Sequence, residues 1–163
     1  MKYDMENNVE VYDKVMEILF KDETEFNILG EDSIIKKFHL YIKNKEKVAT
    51  ISESFGDCTH QYSGLFETSH YDKSGLDMCY HKNNVGDSLY GKIGDGLSIP
   101  RELILCDDCT AEVFRQIGNV NDRFTLFLSV LESDEDGKSN VRFIVKYMGS
   151  FYLTNTVEVW MKN

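Results

Sequence analysis

Six residues between positions 58 and 109 have the types and spacing to hold a metal. They fall into three short pairs: Cys58-x-His60, Cys79-x-His81 and Cys106-x-x-Cys109. Zinc takes four thiolate or imidazole ligands in a tetrahedron, and Cys-x-x-Cys is a usual half of such a site. On an extended strand Cys79 and His81 point to one face, which is chelating geometry. Cys79, His81, Cys106 and Cys109 therefore form the candidate metal site, with Cys58 and His60 as alternates. Two facts weigh against it. Six ligands compete for four places, and Cys-x-His is a less typical half-site. The plainer reading treats the four Cys as small buried hydrophobes in a reducing compartment. The chain otherwise calls for no cofactor, zinc being the one candidate.

Other chemistries fit less well. A zinc deaminase needs His-x-Glu and Pro-Cys-x-x-Cys. Here Gln61-Tyr62 follows His60, and Pro100 stands six residues before Cys106. A redox Cys-x-x-Cys is activated at a helix start, but the negative charge of Asp107 and Asp108 between the thiols opposes thiolate formation. A Cys-His nucleophile is available only as inventory, with His39, His60, His70 and His81 as partners. The run Gly91 to Gly96 lacks the Gly-Lys-Ser/Thr ending of a phosphate loop. Glu132-x-Asp134-x-Asp136-Gly137 begins like a calcium loop, yet its twelfth position is Phe143 rather than a bidentate Glu. That segment reads as an acidic hairpin turn.

Composition narrows the function classes. The chain has 163 residues and a net charge of −10, from 28 acidic and 18 basic side chains. Phosphate contacts need a basic surface, so nucleic acid is an unsuitable partner. An acidic surface suits a basic protein partner, whose approach complementary fields accelerate. Asp107, Asp108, Asp134, Glu135 and Asp136 are the candidate partner contacts. The first ten residues, MKYDMENNVE, carry no apolar signal sequence. No window approaches the roughly 18 apolar residues that cross a membrane. The expectation is a cytoplasmic protein without a membrane partner, its thiols reduced.

These residues must be positioned by a fold. The length fits one domain, residues 1–163. Tyr12, Val15, Met16 and Leu19 recur at helical spacing and predict a helix over about Asn8 to Lys21, with Asn7 as its cap. Asp22 to Asp32 reads as loop. Phe38, Leu40 and Ile42 alternate with His39 and Tyr41, and Val48 to Phe55 follows a charged turn, which predicts a hairpin. A helix over Ser33 to Lys43 is the alternative. Leu65 to Tyr71 and Leu76 to His81 read as short strands. Ser98 to Gly118 reads as the organising stretch, either helical throughout or a buried strand, an Asp-Asp elbow and a helix over Ala111 to Ile117. Gly118 then ends the helix. Phe124 to Met161 alternates over three antiparallel strands. The expected fold is α+β: a mostly antiparallel sheet with a C-terminal three-stranded meander, an N-terminal helix and a second helix ending near Gly118.

Without a convincing catalytic set, the chain reads as a non-enzyme. The expected role is a protein-binding protein that neutralises or regulates a basic partner by occlusion, as immunity proteins and phage inhibitors do. A zinc-stabilised binding module and a Cys-His enzyme are the alternatives.

Overall fold

The computed structural model describes residues 9–30, 33–68, 78–80, 112–132 and 137–161. Among the described residues one helix, α1 (Val9–Lys21), precedes ten strands. These are β1 (Glu25–Asn27), β2 (Ile35–Lys43), β3 (Glu46–Phe55), β4 (Cys58–Thr68), β5 (Met78–Tyr80), β6 (Glu112–Val120), β7 (Phe124–Glu132), β8 (Lys138–Tyr147), β9 (Ser150–Leu153) and β10 (Val157–Trp160).

Every pairing is antiparallel, and the strand order is β1-β2-β3-β4-β6-β7-β8-β10. β5 pairs with β6, and β9 with β8. The sheet curls into a half-barrel. Its first strand comes round to the far side, where Ile28 bridges Thr154. There the Leu29 N–H donates to the Leu153 carbonyl at 2.8 Å, and the Asn155 N–H to the Asn27 carbonyl at 2.9 Å. The sheet is weakly joined between β4 and β6, which pair only from Phe66 to Thr68. The first half of β4 overhangs the end of β6.

Three hairpins turn on consecutive residues with positive φ: Asn44-Lys45, Asn121-Asp122 and Met148-Gly149. Two such residues make the turn whose twist matches the flanking strands.

Inward side chains form one apolar core. Phe26 stacks on Phe38 with centroids 5.0 Å apart, and both meet Phe143 edge-on, at 5.0 and 5.1 Å. α1 closes this core with Tyr12, Val15, Met16, Leu19 and Phe20. Phe20 packs on Phe66 at 5.2 Å. β6 to β9 also bury their outward side: Phe114, Phe127, Ile144, Phe151 and Leu153 are all at most 2% exposed.

The helix expected over Asn8 to Lys21 and the β2–β3 hairpin are present; Asn7 lies outside the described residues. One alternative falls and one expectation is overturned. The helical alternative over Ser33 to Lys43 is strand β2. The α+β fold with a second helix ending near Gly118 gives way to a mostly antiparallel sheet with one helix among the described residues, because Glu112–Val120 is strand β6. The physical reason is burial on both sides. Phe114 faces outward and Arg115 inward, yet both are buried, so no polar-apolar alternation marks the strand. A register shift between Gln116 and Gly118 then changes its phase. Gly118 is glycine because a β-carbon there would strike the Glu67 carbonyl oxygen and the Phe66 ring. Its role is close packing between strands. The stretch Pro100 to Cys109 lies outside the described residues.

Two smaller differences follow. β1 occupies part of the expected loop Asp22 to Asp32. The expected meander exists as β7, β8 and β9, but its last stretch breaks at Thr154, and both β9 and β10 pair with β8. Thr154 is fully buried, and its hydroxyl oxygen accepts the Phe143 N–H at 2.9 Å. No helix among the described residues is long and apolar enough to cross a membrane.

Candidate functional site

The outer face of β1 to β4 is open where that of β6 to β9 is buried. Register places its side chains in rows. Lys37 faces Ser52, which faces Gln61; His39 faces Thr50, which faces Ser63. With Glu25, Phe38 and Tyr41, five of these line a surface recess of about 490 Å³: Lys37, His39, Thr50, Ser52 and Gln61.

Three of these side chains, His39, Tyr41 and Thr50, are held by hydrogen bonds. The Tyr41 hydroxyl lies 2.7 Å from Thr50 Oγ1, which lies 2.8 Å from Ser63 Oγ. This hydroxyl ladder runs across three strands. The His39 Nε2 is 2.9 Å from the Glu23 carbonyl oxygen. A carbonyl only accepts, so Nε2 carries a proton, and in the neutral ring Nδ1 is left as an acceptor. The His39 and Tyr41 rings sit 4.8 Å apart. Lys37 and Glu25 pair at 3.6 Å, both more than half exposed, so their attraction is weak in water.

A second polar cluster closes the mouth of the half-barrel beside the overhang of β4. Glu53 points inward and is 4% exposed. Its Oε2 accepts the Tyr147 hydroxyl at 2.7 Å. Arg123, from the β6–β7 turn, lies 3.6 Å from Glu53 Oε1 and donates to the Tyr147 oxygen at 3.3 Å. Its guanidinium stacks 4.4 Å above the Tyr62 ring, and Asn121 Nδ2 donates to the Tyr62 hydroxyl at 3.0 Å. Burial, followed by the hydrogen bond to Glu53, pushes the Tyr147 hydroxyl above its usual pKa. The Tyr147 hydroxyl and the Arg123 guanidinium together satisfy the Glu53 carboxyl, which would otherwise be costly to bury. This cluster ties β3, β4, β7 and β8 together where main-chain pairing fails.

A third polar group lies on the outer side of β6 to β8. Glu112 accepts both Nε (2.8 Å) and Nη2 of Arg142, and the Ser129 hydroxyl at 2.7 Å. It is a bidentate pair set beside the buried Phe114, whose ring Arg142 covers at 5.9 Å.

Of the metal candidates, His81, Cys106 and Cys109 lie outside the described residues. Cys79 is placed by its main chain alone, in β5 opposite Val113. The alternates Cys58 and His60 are exposed on β4, two residues apart and so on one face. His60 packs its ring 6.0 Å from Phe55. Among the described residues no three His, Cys, Asp or Glu gather at metal-binding distance. The acidic candidates Asp107, Asp108, Asp134, Glu135 and Asp136 all lie outside the described residues. Sequence reasoning placed His39 and Tyr41 on one side of a strand but missed Thr50, Ser52 and Gln61, which join them only through strand register. It also missed Glu53, Arg123 and Tyr147; the Asn121-Asp122 pair was the signal for the turn that carries Arg123.

No family model, curated protein or solved structure matches this chain significantly.

Proposed function

We propose that the chain is a non-enzymatic protein that binds a protein partner and occludes it, and that the outer face of β1 to β4 receives that partner. The observation that carries the reading is the contrast between the two outer faces. One is largely apolar and buried; the other carries an open recess with hydrogen-bonded hydroxyl and imidazole groups. A rigid sheet presenting preset hydrogen-bonding groups loses little freedom on association. The net charge of −10 favours a basic partner. In this reading Asp107, Asp108, Asp134, Glu135 and Asp136 contribute negative charge toward the basic partner, and the protein acts in the cytoplasm.

The test compares the wild-type chain with a Thr50→Arg/Ser52→Arg double variant in its native host. The variant fills the recess and reverses its charge preference. The expected result is one basic protein that co-purifies stoichiometrically with wild type at low salt, leaves in about 0.5 M salt as screening predicts, and is absent from the folded variant. Equal retention by both forms removes the face from the reading. Absence of any stoichiometric partner removes the reading itself.

A further inference from the structure

We propose that the overhanging half of β4 is a self-pairing edge, through which two copies of this chain join their sheets about a twofold axis at Gln61. β4 pairs with β3 without a register break from Cys58 to Leu65. Phe55 and Cys58 close a two-residue hairpin, so they form a hydrogen-bonded pair, and such pairs alternate along the ladder. Cys58, His60, Tyr62 and Gly64 thus turn their N–H and C=O groups to β3. Thr59, Gln61, Ser63 and Leu65 turn theirs the other way. At Leu65 both groups are taken by Asn121: the side-chain oxygen accepts the Leu65 N–H at 3.2 Å, and the Asn121 N–H donates to the Leu65 carbonyl at 3.1 Å. At Thr59, Gln61 and Ser63 no described strand takes them, and all three residues are exposed.

The second copy is the occupant that fits this edge. The three outward residues are symmetric about Gln61. Antiparallel pairing of Gln61 with its own counterpart sets Thr59 against Ser63 of the other copy, twice. All six outward backbone groups of each chain are then used, in six hydrogen bonds. The non-bonded rungs set His60 against Tyr62 of the other copy, an aromatic cross-strand pair of a favourable type. From Thr59 to Gly64 the edge carries no Lys, Asp, Glu or Pro and no bulge. Natural edges use such features to prevent pairing. The overlap ends at the hairpin Gly56-Asp57 of one copy and Asn121 of the other. The row Lys37-Ser52-Gln61 would continue into its twofold mate, which sets two recesses side by side. The pairing stands whether or not the recess takes a partner.

Sedimentation equilibrium of the full chain is the test. The expected result is a reversible dimer that tightens as salt rises, because two chains of charge −10 repel while their hydrogen bonds are little screened. Salt therefore acts here in the opposite sense to its effect on a basic partner. Gln61→Pro deletes an N–H that points away from β3, a place where an edge strand tolerates proline, and should give a folded monomer. Thr59→Lys/Ser63→Lys puts like charges directly opposite each other and should weaken the dimer at least about tenfold. Thr59→Lys/Ser63→Glu should restore it. A monomer at all concentrations overturns the proposal. So does a dimer that survives Thr59→Lys/Ser63→Lys, which would place the contact elsewhere. A monomer that pairs β4 with another protein's strand also overturns it.

Discussion

The hydroxyl of Tyr147 donates to the buried carboxylate of Glu53 at 2.7 Å, across a separation of 94 residues. This single bond joins β3 to β8 through the interior. Tyr147→Phe keeps the ring stacked on Phe124 but leaves Glu53 with an unmet oxygen. The expected cost is about 1–3 kcal/mol, read by urea denaturation near neutral pH.

The same bond predicts alkaline behaviour. Tyr147 is held above its ordinary pKa of 10.0, first by burial and then by Glu53. A raised folded value means that its stabilisation is complete below about pH 10 and drains away as pH climbs through that value. Melting temperature should fall more steeply above pH 10 in wild type than in Tyr147→Phe, so the gap between them narrows. Parallel curves would sever Tyr147 from the alkaline transition.

Gly118→Ala separates the two roles assigned to this glycine. As a helix end it would have needed a positive φ; in β6 it needs an empty space beside Glu67 and Phe66. Backbone does not yield as a flexible side chain does, so alanine should cost about 1–3 kcal/mol. A melting temperature within one degree of wild type would contradict the packing.

Phe143 touches both Phe26 and Phe38, and so joins β8 to β1 and β2 across the core. Phe143→Ala should cost about 3–5 kcal/mol. That is a large share of the roughly 5–15 kcal/mol that holds a domain folded. Chemical denaturation should show the midpoint falling sharply, whereas a loss below about 1 kcal/mol would mean the three rings do not share one core.

Cys58 is an exposed thiol in the folded chain. Native alkylation followed by peptide mapping should label it within the first minutes. Protection that disappears on adding a chelator would instead give it to a metal and revive its role as an alternate ligand.

How far the sequence could be read depended on distance along the chain. α1 was legible because one helical face carries Tyr12, Val15, Met16 and Leu19. The β2–β3 and β7–β8 hairpins were legible because alternating runs flank polar turns. β6 was not, because Phe114 and Arg115 are buried on opposite sides and the bulge after Gln116 breaks its period. The recess was half legible: His39 and Tyr41 lie two apart on one strand, but Thr50 and Gln61 reach them through register. Glu53 and Tyr147 carry no local sign of each other at all.

The bridge from Ile28 to Thr154 has a consequence for biosynthesis. The outer edge of β1 finds its mate only after a further 126 residues, from Ile28 to Thr154, have been made. Until then Phe26 lacks its contact with Phe143 and cannot be fully enclosed. High contact order of this kind slows folding, so the two edges should join late and in concert with the rest of the sheet.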